Sequence, residues 1–207
     1  VAKSSASVPA QSPPPPKTRR GEATRQKILV AAEREIGSKG FAEASIAAIT
    51  QEAGVAQGTF YLYFHSKEDV LRELVLLMGR MLRRHLTVAA VGAEGRIEAE
   101  RRGLAAFFAF VRARPYLYRV VAESQFVDAA IFKRYYLEFA DGYARVLAAA
   151  AERGEISAGD AEVRAWALMG VADMVGRRFA VWGEAEDLAP VVEAALAFVV
   201  DGIGRHD

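Results

Sequence analysis

Apolar residues recur along this chain at spacings of three and four with almost no strict alternation, a pattern that predicts helix after helix and few strands. Ile28, Ala31, Ala32, Glu35 and Ile36 are spaced for packing on a helix over about 21–38, which Gly37 and Gly40 end. Ser45 precedes a short helix marked by Ile46, Ile49 and Ala53, and its side chain suits the N-cap. Gly54 follows, where a left-handed residue is expected. A second short helix is predicted over 56–63, with Phe60 and Phe64 four apart on its buried side. Ser66 caps a long amphipathic helix over about 67–90, with Leu71, Leu74, Met78 and Leu82 on one side and Arg72, Arg80, Arg83 and Arg84 on the other. Beyond the break at Gly92 and Gly95, helices are expected over about 97–112, 116–122, 129–153, 161–182 and from Asp187 to about 203. Arg114-Pro115 separates the first two of these, and Asp128 and Asp160 are placed to cap the next two. The fold class is therefore all-α: an N-terminal three-helix head with a helix-turn-helix, followed by a helical body.

The segment 45–68 carries the most specific chemistry. Two short helices flank a glycine corner, and the second shows Gln57, Gly58, Thr59, Tyr61, Leu62 and Tyr63 on its open side. Hydroxyls and amides bond phosphates or base edges, apolar groups touch thymine methyls, and a glycine lets the backbone approach closely. Lys67, in the first turn of the next helix, is free to point at a phosphate. A glycine followed by an aromatic-rich helix is also compatible with an ordinary helix–helix corner.

The order Gly54-Val55, then Gly58-Thr59-Phe60-Tyr61-Leu62-Tyr63-Phe64, then Ser66-Lys67-Glu68, resembles the signature of the TetR/AcrR family of transcriptional regulators. The upstream run Thr24-Arg25-Gln26-Lys27-Ile28-Leu29 with Ala31-Ala32, then Gly40-Phe41, is similar to that family's first helix and its exit. The resemblance spans roughly 24–77. It implies a ligand-responsive DNA-binding regulator, a repressor that binds a palindromic double-stranded DNA operator as a homodimer and is released by a small hydrophobic or amphipathic effector. It also implies that Gln57, Gly58, Thr59, Tyr61, Tyr63 and Lys67 contact DNA, and Ser45 and Leu62 are candidate DNA contacts beside them. Ala56 departs from the family pattern where a serine or threonine often caps the recognition helix, and Ala47 departs where a polar residue often reaches DNA.

Charge is distributed in agreement with this. The 207 residues carry a net +1, but 1–67 hold nine basic residues against five acidic ones, a basic front on a mildly acidic body. Residues 1–20 read as a disordered, proline-rich basic tail, with Pro13–Pro16 in succession; a basic arm of Lys17, Arg19 and Arg20 that contacts DNA is the alternative to a solvated leader. The domain division expected is 1–20 for the tail, 21–66 for the DNA-binding head and 67–207 for the ligand-binding and dimerisation body.

Two stripes in the last helices read as a dimerisation pair. One is Ala161, Ala165, Leu168, Met169, Ala172 and Val175-Gly176, and the other is Val191, Ala194, Ala195, Phe198 and Val199. Packing of both within their own chain is the alternative. An aromatic-lined cavity is expected in the body, with Phe107, Phe126, Tyr136, Phe139, Tyr143, Trp166, Met169 and Asp173 as candidate ligand contacts. Glu123, Gln125, Arg177 and Arg178 are further polar candidates.

Catalysis is not expected. The three histidines are widely separated, cysteine is absent, and neither a phosphate-binding glycine loop nor a nucleophile elbow is present. No cofactor, metal or membrane span is implied, and a cytoplasmic location is expected. The alternative function is a helical small-molecule-binding or interaction protein without sequence-specific DNA binding.

Overall fold

A computed structural model describes Pro16, residues 18–183 and residues 186–203. It is all-α, with no strand among the described residues. The order is α1 (Arg19–Lys39), α2 (Ile46–Ala53), α3 (Gln57–Phe60), α4 (Lys67–Ala89), α5 (Arg96–Ala113), α6 (Pro115–Val127), α7 (Ala129–Glu152), α8 (Ala161–Gly176), a π-helical turn (Arg177–Val181) and α9 (Ala189–Ile203). Most of the expected tail lies outside the described residues, but Arg19 and Arg20 belong to the first turn of α1, which Thr18 caps.

The caps are made by the residues whose side chains suit them. Ser45, Ser66, Asp128 and Asp160 each accept backbone amides at the start of α2, α4, α7 and α8. Gly54 closes α2 in the left-handed region at φ 67°, ψ 37°, which turns the chain into α3. Gly37 does not end α1 as expected. The helix runs through it to Lys39, and the position serves a close approach instead: a Cβ there would stand 2.3 Å from the Tyr116 Cβ on α6.

Three helices differ in extent from the sequence pattern. Regular geometry in α3 covers only Gln57–Phe60, because Ala56 has no side-chain oxygen to cap it and the following amides of Leu62 and Tyr63 bond three residues back rather than four. Helix α6, expected over about 116–122, starts at Pro115 and continues to Val127. At the other end of the body, α8 does not reach Trp182 as a regular helix; it widens at Arg177, with Trp182 N–H donating to the Arg177 carbonyl at 2.9 Å.

One apolar core joins head and body. Ile28, Ile36, Ile49, Phe60, Phe64 and Leu71 fill the head, and Met78, Phe108, Leu117 and Val120 continue the same cluster into the body. A smaller cluster of Leu147, Ala150, Ile156, Ala165, Leu168 and Val199 ties α7 to α8 and α9.

The stripe on α8 that reads as a dimer face is turned inward. Ala165 and Leu168 are buried, and a Cβ at Gly176 would meet Phe107 at 2.9 Å. The opposite face of α8 is the open one, with Val163 62% and Met174 58% exposed beside Trp166 and Gly170. On α9 the expected stripe divides: Ala195 and Val199 are buried, while Ala194 is exposed and Phe198 is 69% exposed.

Candidate nucleic-acid interface and internal cavity

The short α3 hangs its apolar side on Phe60 and Phe64, both fully buried and tilted against each other at 5.7 Å between ring centroids. That anchor leaves Gln57, Gly58, Tyr61 and Leu62 exposed, with Thr59 and Tyr63 half-buried at the edges. Leu62 is 71% exposed. Beyond its own turn of helix, no described atom lies within 4 Å of the Cβ position at Gly58, so its surface is open to an incoming backbone. The Tyr63 hydroxyl lies 3.5 Å from the Cβ position of Gly21, which places the exposed Arg19–Arg20 turn of α1 beside the end of α3.

Two of the expected contacts also serve the fold. Ser45 Oγ accepts the Ala48 amide at 3.1 Å, which leaves its own O–H free to donate outward. Lys67 Nζ donates to the carbonyls of Phe41 and Ala44 and lies 4.4 Å from the Phe41 ring centroid. Its ammonium therefore organises the loop between α1 and α2 rather than standing free in solvent.

A cavity of about 410 Å³ lies within the body, between α4, α5, α6, α7 and α8. Phe107, Tyr136, Phe139, Tyr143, Met169 and Asp173 line it, together with Leu104, Leu168, Tyr118 and Val121. Phe126 and Trp166 do not. Phe126 is 85% exposed on the far side of α6, and Trp166 stacks on Tyr136 from outside, 6.3 Å between centroids. Gln125 and Arg178 are exposed as well, while Arg177 lines the cavity.

The cavity's polar groups are organised in pairs. The Tyr118 hydroxyl donates to Asp173, and Arg177 Nε donates to the other Asp173 oxygen at 3.0 Å. The Tyr143 hydroxyl donates to Glu100, which Arg96 faces at 2.9 Å. Burial, reinforced by the neighbouring carboxylates, pushes the Tyr118 and Tyr143 phenols above their ordinary range, so both remain neutral donors. Burial also pushes the Glu100 carboxyl upward, against the pull of Arg96. Arg83, Arg96 and Glu100 escaped the sequence reading, because charged residues on amphipathic helices look like solvated faces until their neighbours are known.

Glu123 proves not to face the cavity. Its carboxylate accepts the Phe41 amide at the exit of α1, and Arg119, one turn earlier, donates to the Gly37 and Ser38 carbonyls at 3.3 and 3.0 Å. The two side chains also pair with each other at 3.0 Å. Helix α6 thus carries Tyr118, Val121 and Ala122 on a cavity face and Arg119 and Glu123 on a head face. Arg72 of α4 makes a second connection, bonding Asp69 on its own helix and Asp128 at the start of α7.

Among the described residues, no group of three or more histidines and carboxylates is placed to hold a metal, and no helix is long and apolar enough to cross a membrane.

Residues 28–74 match the sequence profile described as bacterial regulatory proteins, tetR family. Over 46 residues the chain is 54% identical to the HTH-type transcriptional regulator YvdT of Bacillus subtilis, covering 22% of this chain and 24% of that protein. Over 48 residues it is 44% identical to the fatty acid metabolism regulator protein of the same organism, covering 23% and 25%. The matched segments thus span about a quarter of the length of these curated relatives. The whole fold is similar to solved structures. The fatty acid degradation regulator FadR of Bacillus halodurans aligns with a TM-score of 0.76 at 23% identity, covering 85% of this chain and 94% of that one. FadR of Bacillus subtilis, solved in complex with stearoyl-CoA, aligns with a TM-score of 0.75 at 22% identity, covering 87% and 99%.

Proposed function

We propose, from the match of residues 28–74 to the tetR family of bacterial regulatory proteins, that the chain is a DNA-binding transcriptional regulator controlled by a small molecule in the cavity of its body. It is not an enzyme, as the regulators it resembles are not. The observation that carries the reading is the open side of α3: Gln57, Gly58, Tyr61 and Leu62 are exposed on a helix whose other side is locked by Phe60 and Phe64. In this reading the recognition helix lies in the major groove, Tyr63, Ser45 and the Arg19–Arg20 turn meet phosphates, and Lys67 adds charge near the backbone.

The finer reading is a repressor that acts as a homodimer in the cytoplasm. The exposed apolar strip of Val163, Trp166, Gly170 and Met174 on α8, with Phe198 on α9, is the surface two copies would share. Two heads related by a two-fold axis require a palindromic operator with half-sites about one DNA turn (~34–36 Å) apart. An effector with an apolar body suits the aromatic cavity, and the stearoyl-CoA held by FadR of Bacillus subtilis is a molecule of that kind. Its binding would shift the heads through α4 and α6 to a spacing that fits DNA poorly.

Duplex binding measured at a series of salt concentrations tests this directly. Specific binding that tightens as salt falls, and that Tyr61→Ala weakens without unfolding the protein, is expected. A Tyr61→Ala variant that binds as well as the parent contradicts the assigned surface.

A further inference from the structure

The open side of α3 carries no cation. Between Lys39 and Lys67 the sequence holds neither arginine nor lysine. Cations elsewhere in the head have partners of their own: Lys67 the Phe41 and Ala44 carbonyls, Arg34 the Glu52 carboxylate at 3.3 Å, and Arg25 the Glu73 carboxylate at 3.3 Å. What α3 presents is neutral, with Gln57, Tyr61 and Leu62 exposed, and on α2 Ala47 is exposed as well. The Leu62 amide donates to the Thr59 carbonyl at 3.2 Å, which holds the residue in the last turn of this segment. Phe60 and Phe64, buried on the other side, fix its rotation. Beyond its own turn of helix, Gly58 has no described atom within 4 Å of its Cβ position. A backbone without a side chain there can sink far enough into a groove for a leucine to reach base edges.

We infer that Leu62 reads a thymine in each half-site by packing on its C5 methyl group in the major groove, so that recognition under α3 centres on an A·T pair and not on a guanine held by a cation. The inference rests on the reading of α3 as the recognition helix and adds the base that it selects. In the major groove guanine shows the acceptors N7 and O6, and its commonest specific partner is a bidentate arginine or lysine. Neither α2 nor α3 supplies one. Thymine alone among the bases of DNA carries a methyl group in that groove, and apolar contact is what recognises it. Over a guanine, Leu62 would cover N7 and O6 and return no hydrogen bond; over a cytosine it would do the same to the N4 amino group. A polar group taken out of water without a partner is costly, so both bases are selected against. Gln57 and Tyr61 can still bond base edges or phosphates around this contact.

The test takes the duplex that the full chain enriches from random DNA and remakes it with deoxyuridine in place of thymine, one position of the half-site at a time. Deoxyuridine pairs as thymine does and lacks only the methyl group. At one position the exchange is expected to weaken binding about fourfold for each methyl removed, the scale of burying one such group. Leu62→Ala should bring the ratio of thymine to deoxyuridine affinity at that position close to one and leave the ratios at the other thymines unchanged. Leu62→Met, of similar length and also apolar, should retain the effect. Leu62 is exposed, so both variants are expected to unfold at the parent's urea midpoint. An enriched site in which no thymine methyl matters, or a methyl effect of the same size in Leu62→Ala, overturns the assignment of Leu62 and leaves α3 as a reader of other base edges. If no sequence is enriched, the reading of α3 as the recognition helix is itself overturned, and the inference falls with it.

Discussion

Glu123 accepts the backbone N–H of Phe41, joining the middle of α6 to the exit of α1 across 82 positions of sequence. One residue back along α6, Ala122 lines the cavity, so the helix that meets a ligand also holds the head. Arg119 strengthens the joint through the Gly37 and Ser38 carbonyls.

Breaking this joint should uncouple the two sites. With a ligand of the cavity as the effector probe, a coupling of ~5–150-fold between ligand and DNA binding is the normal range for such a protein. The double variant Arg119→Ala/Glu123→Gln is expected to bring that factor close to one while each ligand still binds alone. Fluorescence titrations of labelled duplex, with and without saturating probe, measure it. Unchanged coupling in the double variant would assign transmission to α4 instead.

Two glycines separate packing from recognition. At Gly37 a Cβ would be driven into Tyr116 at 2.3 Å, and Gly37→Ala should cost about 1–3 kcal/mol of stability, as overpacking does. At Gly58 nothing lies within 4 Å, and alanine favours the helix by up to about 1 kcal/mol. Gly58→Ala should therefore match or exceed the parent in urea unfolding and yet bind DNA more weakly, because its methyl stands where the duplex must approach. Normal DNA affinity in Gly58→Ala would move the interface away from α3.

Lys67 has a structural role that its position in the motif does not reveal. Removing the ammonium in Lys67→Met leaves the Phe41 and Ala44 carbonyls without their donor, at a cost of about 2 kcal/mol. Gln57→Ala, on the exposed face, should stay within about 0.5 kcal/mol of the parent. Chemical denaturation of the two variants side by side gives the comparison, and equal stabilities would show that the loop does not depend on Lys67.

The local features of this fold were legible in the sequence, and the long-range ones were not. Ser45, Gly54, Ser66, Asp128 and Asp160 act within a few residues of themselves, so spacing alone locates them. The head core is equally local, with Phe60 and Phe64 one turn apart. Helix α8 could not be oriented, because it is apolar on both sides: Ala165 and Leu168 face inward, Val163 and Met174 outward, and no polar stripe tells them apart. Phe126 looked like a cavity aromatic for the same reason that Phe107 did, and only the rotation of α6 distinguishes them. Glu123 and Arg83 take their roles from partners on other helices, which no periodicity encodes.

The outward face of α8 gives a further expectation. Val163, Trp166 and Met174 on α8 and Phe198 on α9 are exposed apolar residues that a second copy would bury. Sedimentation at micromolar concentration should find a dimer for the parent chain and a monomer for Met174→Glu/Phe198→Glu, with the monomer losing most of its operator affinity. A parent chain that sediments as a monomer, or a charged variant that stays dimeric, contradicts this surface.

Selection of bound duplexes from random DNA by the purified chain, at fixed moderate salt, tests the regulator reading most directly. Enrichment of one inverted repeat, with half-site centres about one helical turn apart, is the predicted result. Binding that is salt-sensitive but blind to sequence would contradict it, and would make the exposed face of α3 an electrostatic contact without readout.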